Sequence, residues 1–281
     1  MKKIIFVLAV FGGMLFLFSG ASAAYLSISS SRPQQGDAVA VLFSGGSPKV
    51  QSADFDGQPV SFSKYKNDYV AVFGIPAAKK PGRYLLVINF AGGEIFRKQI
   101  TVAARKFPEV VLGIPKKLGV TPKRLVYDLN IQDTKLNTVF SSGPGNFYFN
   151  EPFGLPLSNN RNIGSRFGEI RKTGREMIRH LGVDFSAKIG DAVAAINDGI
   201  IKEAYTDPIY GNSVIIDHGG GIFSAYFHLS KIIAKKGSKV FKGTIIGLVG
   251  QTGYATGPHL HLSVKINGVS VDPLRFVSIF K

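Results

Sequence analysis

The chain has 281 residues, which allows two domains, and 45% of them are hydrophobic, which is enough for a substantial core. It contains no cysteine, which excludes disulfides and metal sites built from thiolates. The formal net charge of +16 favours an acidic partner: nucleic acid, an anionic membrane surface or an anionic wall polymer. A solvated basic surface without a particular partner is the alternative, and charge alone does not separate the two.

The first 23 residues have the pattern of a secretory signal peptide. Lys2 and Lys3 precede the apolar run Ile4–Phe18, and a small-residue Ala-x-Ala pattern ends at Ala23. The run is shorter than the roughly 20 residues of a membrane span, so an uncleaved anchor is the lesser alternative. We predict a signal peptide at residues 1–23 and export to the periplasm or cell envelope, with membrane contact only through an uncleaved signal. Export argues against nucleic acid as the partner.

Residues 24–104 are predicted to form an all-β domain. Turn signals such as Asp56-Gly57 and Pro81-Gly82 separate short segments rich in Val, Ile, Phe and Tyr. These segments are Ala38–Phe43, Val50–Phe55, Asp68–Phe73 and Gly82–Phe90. Their spacing favours an immunoglobulin-like β-sandwich. The region has no histidine, so we interpret it as a spacer or a binding module.

Residues 105–150 are predicted to be a connector that contains one helix. Thr121 suits the N-cap, and Pro122 suits the first helical position. Apolar residues follow at near-helical spacing: Leu125, Leu129, Leu136 and Phe140. The connector, or Asn159-Asn160, is expected to cover a substrate groove until it is displaced.

Residues 151–281 are again predicted to be mostly β, with dense glycines and no helix longer than two turns. The predicted strands are Val214–Asp217, Phe223–His228, Ile245–Val249 and His259–Ile266.

All five histidines lie in this last region, and four of them have spacings that suit a metal. His259 and His261 are two residues apart in a predicted strand, so both imidazoles point to one face. His180 and Asp184 would be roughly 13 Å apart in an extended chain, too far for one metal ion. We therefore predict a bend at Gly182, followed by a strand that carries Asp184.

Histidine and carboxylate ligands without thiolates are typical of a catalytic zinc site, in which three protein ligands leave one position open. The absence of an H-E-x-x-H motif excludes a thermolysin-like helix. Taken singly, His259 and His261 also fit a surface pair, Asp184 a turn carboxylate and His228 a core histidine. His218, beside three glycines, is interpreted as a structural turn residue. Together the residues predict a zinc hydrolase with its chemistry in the last third of the chain.

The segment from Phe153 to Phe276 resembles the lysostaphin-type (LytM-like) zinc metalloendopeptidases of bacterial cell walls. The matching segments are Ser165–Gly168, His180–Phe185, Gly211-Asn212, Tyr226–Ser230, Gly250–Gly253, Thr256–His261 and Val271–Pro273. The resemblance implies a C-terminal antiparallel β catalytic domain of the LytM, or duplicated-hybrid-motif, type. The fold class expected for the whole chain is therefore mainly β, with a sandwich, a helical connector and this domain.

The resemblance also implies the roles of the five residues. It implies that His180, Asp184 and His261 bind one Zn²⁺ ion and that His228 and His259 are catalytic. We expect His259 to be the general base and His228 to donate to the developing oxyanion, but the sequence leaves these two roles exchangeable. Further candidates for the substrate groove are Tyr226, Arg179 and Asn212.

The predicted substrate is the peptide part of peptidoglycan. The D-alanyl–diaminopimelate cross-link is the favoured bond, and a glycine bridge is the alternative. Basic residues near His180 are expected to attract the carboxylates of the peptide stems. They are Arg161, Arg166, Arg171, Lys172, Arg175, Arg179 and Lys188.

Two other functions compete with this one. A non-catalytic wall-binding regulator that activates another peptidoglycan hydrolase predicts a degraded ligand set, whereas all five positions are filled here. A cupin-type metal protein would place further ligands after its H-x-H motif, but His261 is the last histidine. An envelope protein that restrains the enzyme is a further predicted partner.

Overall fold

The structure is a computed structural model that describes residues 14–16, 24–47, 49–111, 113, 119–140, 145–158 and 162–280. Most of the predicted signal peptide, and Asn159, Asn160 and Arg161, lie outside these residues. In the part that is described, no helix has both the length and the apolar character needed to cross a membrane. As predicted, the fold is mainly β.

Ten strands and one helix occupy the first half of the chain. The strands are β1 (Met14–Phe16), β2 (Ala24–Ile28), β3 (Ala38–Ser44), β4 (Val50–Phe55), β5 (Gln58–Pro59), β6 (Phe62–Tyr65), β7 (Asp68–Gly74), β8 (Gly82–Phe90), β9 (Ile95–Val102) and β10 (Glu109–Val111). Helix α1 spans Pro122–Val139.

The second half contains thirteen strands and one short helix. The strands are β11 (Ile163–Ser165), β12 (Ile170–Thr173), β13 (Glu176–Arg179), β14 (Val183–Ser186), β15 (Ala192–Ala194), β16 (Gly199–Asp207), β17 (Gly211–Asp217), β18 (Ile222–Leu229), β19 (Lys231–Ile232), β20 (Lys239–Val240), β21 (Ile245–Leu248), β22 (His259–Ile266) and β23 (Val269–Val271). Helix α2 spans Pro273–Phe276. All four predicted strands are present, although β17 begins at Gly211 rather than Val214.

Two antiparallel sheets enclose the N-terminal core. Their strand orders are β1-β2-β3-β7-β6 and β5-β4-β8-β9. Leu86, Ile88 and Phe90 alternate along β8 and are buried, because successive residues of a strand point to opposite faces. The two sheets agree with a sandwich, while the immunoglobulin-like assignment and the domain boundaries at 104 and 150 stay predictions.

The main C-terminal sheet has the order β11-β14-β22-β18-β17-β16-β20, with β23 beside β22. Along β22, Leu260, Leu262 and Val264 face the large apolar core, so the alternate residues face the opposite side. These alternate residues are His259, His261, Ser263 and Lys265. The same alternation buries the apolar residues and turns the histidines toward the groove.

Helix α1 lies against the groove side of this sheet. It begins as predicted, because Thr121 Oγ1 accepts a hydrogen bond from the Arg124 backbone N–H at 3.3 Å. At its other end Leu136 and Phe140 pack in one cluster with Phe223 and Phe227 of β18. The predicted connector therefore contributes a wall to the region that holds the histidines. It also contributes β10, which pairs with β12 and was not predicted.

Candidate metal centre

Three side chains meet where β14 lies beside β22. Asp184 is opposite His261 in the register of the two strands, and His180 precedes β14. His180 Nε2 is 3.0 Å from Asp184 Oδ1 and 3.0 Å from His261 Nδ1, and the last two atoms are 2.8 Å apart. Among the described residues these three form the group of side chains that could hold a metal ion.

The bend that brings His180 to this point occurs at Gly182, as predicted. A Cβ atom at position 182 would lie 2.3 Å from His261 Nε2 and 2.6 Å from the Leu262 carbonyl oxygen. Any other residue would therefore collide with a ligand and with the β22 backbone. The glycine allows the chain to turn while it remains in contact with the site.

The hydrogen bonds of the two rings fix which nitrogen faces the metal position. His180 Nδ1 donates to the Arg166 carbonyl oxygen at 2.9 Å. His261 Nε2 donates to Ser263 Oγ at 2.9 Å, and that hydroxyl donates to the Leu181 carbonyl oxygen. Because each outer nitrogen carries the proton, His180 Nε2 and His261 Nδ1 offer lone pairs to a common point.

The carboxylate of Asp184 has one oxygen for each neighbour. Oδ1 faces the two imidazoles, while Oδ2 accepts a hydrogen bond from Arg171 Nη2 at 2.6 Å. Arg171 Nε also donates to Glu169 Oε1 at 3.2 Å. Burial raises the pKa of Asp184, but His180 and His261 outweigh it and hold that pKa well below its ordinary value. Burial lowers the pKa of His261 to about 4, so this ring is neutral at pH 7.

This donor set fits a metal ion. An anionic carboxylate and two imidazoles with inward lone pairs are ligands that zinc and other divalent metals accept. Metal–ligand bonds of 2.0–2.1 Å in a tetrahedron place donor atoms about 3.4 Å apart, slightly farther than the separations here. A small outward movement of the three side chains would therefore accommodate the ion.

Two further histidines lie beside the three donors. The His228 and His259 ring centroids are 4.8 Å apart, and His259 Nε2 is 3.8 Å from Asp184 Oδ1. His228 Nδ1 donates to the Thr252 carbonyl oxygen at 2.9 Å, and His259 Nδ1 donates to that of Gly257 at 2.8 Å. Each Nε2 is thus an acceptor. Burial lowers the pKa of His228 to about 3, so this ring is neutral above that pH.

The backbone at His228 explains why one groove prediction is wrong. Strict alternation would put Tyr226 and His228 on one face of β18, but His228 has a φ of +63°, in the left-handed region. This turns His228 toward the groove, whereas Tyr226 remains in the core with 0% exposure. The Tyr226 hydroxyl accepts a hydrogen bond from the Ile196 backbone N–H at 2.9 Å. Tyr226 therefore does not reach the groove.

Two other predicted residues have different environments. Asn212 is used inside the fold: its amide nitrogen donates to the Leu229 carbonyl oxygen at 3.0 Å, and it lines neither cavity beside the metal ligands. Arg179 does line the cavity under α1, although its Nη1 donates to the Gly168 carbonyl oxygen at 3.2 Å. The interpretation of His218 as structural agrees with its hydrogen bonds to the Asp198 carbonyl oxygen and to Ser224 Oγ.

The predicted basic rim is smaller than the sequence suggested. Arg171 is paired with Asp184 and Glu169, and Lys172 with Glu109. Arg166, Arg175 and Lys188 remain exposed. Sequence analysis missed the role of Arg171 because a run of basic residues does not show which one faces a carboxylate.

Two cavities flank the metal ligands. One, of about 300 Å³, lies between α1 and the sheet and reaches His180, His228 and His261. The other, of about 230 Å³, lies on the opposite side, beside His259 and Asp184. A chain that passed through both would cross the three donor atoms.

Comparison with known proteins decides the family. Residues 178–273 match the family described as "Peptidase family M23", and this range contains Asp184 and all five histidines. The chain belongs to peptidase family M23. This membership excludes the cupin-type alternative.

Several relatives of this M23 chain are known. It is 38% identical over 122 residues to the peptidoglycan DD-endopeptidase ShyA of Vibrio cholerae, covering 43% of this chain and 28% of ShyA. It is 43% identical over 95 residues to the DD-carboxypeptidase/endopeptidase Mpg of Neisseria meningitidis, covering 34% of this chain and 22% of Mpg. The chain thus spans between a fifth and three tenths of the length of these curated relatives.

One solved structure is similar over most of the chain. It is an M23 peptidase from Pseudomonas aeruginosa, with a TM-score of 0.59 and 29% identity. The similarity covers 89% of this chain and 96% of that one. It therefore extends beyond the family match at residues 178–273 into the N-terminal sheets.

Proposed function

We propose that this M23 chain is a zinc-dependent endopeptidase that hydrolyses peptide cross-links of bacterial peptidoglycan. The observation that carries the proposal is the convergence of His180, Asp184 and His261, with His228 and His259 beside them. The names of the relatives, DD-endopeptidase and DD-carboxypeptidase/endopeptidase, support a cleavage between two D-centres. The favoured bond is therefore D-alanyl–diaminopimelate.

The chemistry divides among the five residues. A zinc ion held by His180, Asp184 and His261 would lower the pKa of a bound water and polarise the scissile carbonyl. His259 Nε2 accepts the proton of the attacking water, because this ring is only partly buried and lies near the donors. His228 Nε2 donates to the oxyanion only while it carries a proton, and burial opposes protonation of this ring before the proton transfer.

The complete donor set supports an enzyme over the wall-binding regulator, which would not need it. A signal peptide at residues 1–23 and an action on peptidoglycan both support a location in the periplasm or cell envelope. Peptidoglycan is the proposed partner, and an envelope protein that restrains the enzyme is a second one.

Digestion of purified peptidoglycan by the zinc-loaded chain tests the function, with mass spectrometry of the fragments. We expect cross-linked dimers to be lost with the unmodified protein and to persist with His259→Ala, which keeps its zinc. Asp184→Asn should lose both zinc and activity. Persistence of the cross-links in every sample, at one zinc per chain, would contradict the proposal. The same assay on a chain that lacks α1 would then show whether the helix blocks access.

A further inference from the structure

Helix α1 forms the roof of a cavity beside the metal ligands rather than filling it. The cavity measures about 300 Å³, the lower end of the range for small-molecule pockets. Its floor is the groove side of β22, with His261, Ser263 and Lys265, and its roof includes Leu129 and Asp133. The space therefore connects the reacting centre with a region that has charged groups of both signs.

Lys265 is the cation at the far end of this floor. Its Nζ donates to Asn137 Oδ1 at 3.1 Å and lies 4.7 Å from the centroid of the Phe140 ring. None of the ion pairs among the described residues includes Lys265. Burial lowers the pKa of Lys265, and the negative charge of Asp133 acts against this effect. A half-buried ammonium group without a carboxylate partner is a costly arrangement that an anionic ligand would relieve.

Asp133 provides the opposite charge on the roof. Its Oδ1 accepts a hydrogen bond from the Tyr210 hydroxyl at 2.5 Å, and Oδ2 is directed to no donor among the described residues. The other two cations that line the cavity, Arg171 and Arg179, are already used by Asp184, Glu169 and the Gly168 carbonyl oxygen. A free carboxylate alone would be repelled by Asp133, whereas a group with both charges complements both walls.

The strand gives the distance between this end of the cavity and the chemistry. His261 and Lys265 lie on the same face of β22, four residues apart. At about 3.4 Å per residue their Cα atoms are separated by roughly 13 Å. A ligand group that reaches Lys265 must therefore extend from the reacting carbonyl on a side chain or on a further residue.

We propose that this cavity is a subsite for an α-amino-acid head group carried by the substrate, with its carboxylate toward Lys265 and its ammonium toward Asp133. The inference rests on the proposed function, because it takes the metal ligands as the reacting centre. A diaminopimelate residue on the acyl side of the cleaved bond has such a head group at the end of its side chain. Lysine at that position has the ammonium but lacks the carboxylate.

Calorimetric titration of the metal-free protein with free meso-diaminopimelate tests the subsite without catalysis. We expect Lys265→Met to weaken binding at least tenfold and Lys265→Arg, which keeps the charge, to retain it. Lys239→Met, at an exposed lysine, is the matched control and should bind like the unmodified protein. Free lysine should bind at least tenfold more weakly than diaminopimelate. Equal binding by Lys265→Met and the unmodified protein, with the same thermal midpoint, would overturn the proposal.

Cleavage of two synthetic cross-linked stems separates this inference from the proposed function. The zinc-loaded protein should prefer the diaminopimelate stem to the lysine stem by about tenfold in kcat/KM, which corresponds to about 1.4 kcal/mol. Lys265→Met should lose this preference through a lower rate on the first stem alone. A protein that cleaves neither stem contradicts the proposed function, and the calorimetric result then decides the subsite. A preference that survives in Lys265→Met overturns the subsite.

Discussion

Arg171 controls which oxygen of Asp184 reaches the metal position. Its guanidinium bonds Oδ2 at 2.6 Å, and Glu169, which is buried, accepts from the same guanidinium. Oδ1 is left to the two imidazoles, so the carboxylate is oriented as a ligand with one oxygen. Hydrogen bonds of this kind behind a metal ligand are part of the metal site, because they fix ligand geometry before the ion binds.

Arg171→Met should therefore weaken zinc binding by about 10- to 100-fold, the usual effect of removing such a partner. Competition with a chromophoric chelator measures the zinc Kd directly. Arg175→Met, at an exposed arginine on the turn between β12 and β13, is the matched control and should leave the Kd unchanged. Similar Kd values for Arg171→Met and the unmodified protein would show that Arg171 does not orient Asp184.

His218 belongs to a second polar network that has no part in the chemistry. Its Nδ1 donates to the Asp198 carbonyl oxygen at 2.6 Å, and Ser224 Oγ donates to its Nε2 at 2.8 Å. Burial lowers the pKa of His218 to about 4, from an ordinary value of 6.5. The unfolded chain therefore binds more protons than the folded chain between these two values.

The sign of the pH effect follows from that difference. The contribution of His218 to stability is complete above about pH 6.5 and is lost as the pH falls toward 4, by about 3 kcal/mol in total. Urea denaturation of the metal-free protein at pH 7 and pH 4.5 measures the loss. His218→Gln, which cannot titrate, should show a smaller loss than the unmodified protein. Identical losses in the two proteins would assign the pH effect to other groups.

Spacing alone predicted most of the site, because it depends on local geometry. The pair His259 and His261 follows from the two-residue period of a strand, and the bend at Gly182 follows from the distance limit of a metal ion. Tyr226 was placed wrongly because the left-handed φ of His228 interrupts the same period. Arg171 was not identified, since its partner Asp184 is 13 residues away and the contact depends on the tertiary fold.

At the scale of elements, helix α1 was predicted and its position was not. Thr121 and Pro122 mark its start in the sequence, and Leu125 and Leu136 mark its buried face. Periodicity shows that a helix has an apolar face but not which surface covers it. The structure supplies the polar contacts that fix the helix over the groove, including Gln132 Nε2 with Asp207 Oδ2 at 3.1 Å.

Gln132→Ala should loosen α1 without changing the metal ligands. Loss of one hydrogen bond costs about 1 kcal/mol, so amide hydrogen exchange in residues 122–139 should become about fivefold faster. Thr134→Ala, on the exposed side of the same helix, is the control for a change in helix propensity. Exchange measured by mass spectrometry, with zinc content as a check, tests the expectation. If both variants exchange at the same rate, the contact with Asp207 does not hold the helix.

At the scale of the whole molecule, the N-terminal sheets and the peptidase region share apolar contacts. Ala40 of β3 and Val72 of β7 belong to the same core cluster as Val271 and Phe280. The buried ion pair between Arg105 and Asp272, at 2.7 Å, joins the two parts as well. Sequence analysis divided the chain correctly into two β regions and a helix, but it gave no indication of this contact. The outer face of a sheet reads the same whether another region covers it or solvent does.

Phe280 is the residue whose removal best tests the shared core. Its ring packs at 5.2 Å from Tyr65 of β6 and at 5.2 Å from Phe149, measured between ring centroids. Phe280→Ala should lower the free energy of unfolding by about 3–5 kcal/mol, since it leaves a cavity where the two parts meet. Phe241→Ala, at a phenylalanine that is 68% exposed, should change it by less than about 0.5 kcal/mol. In a calorimetric scan the unmodified protein should unfold in one transition, and Phe280→Ala should separate it into two. Two transitions already present in the unmodified protein would show that the contact does not couple the N-terminal sheets to the peptidase region.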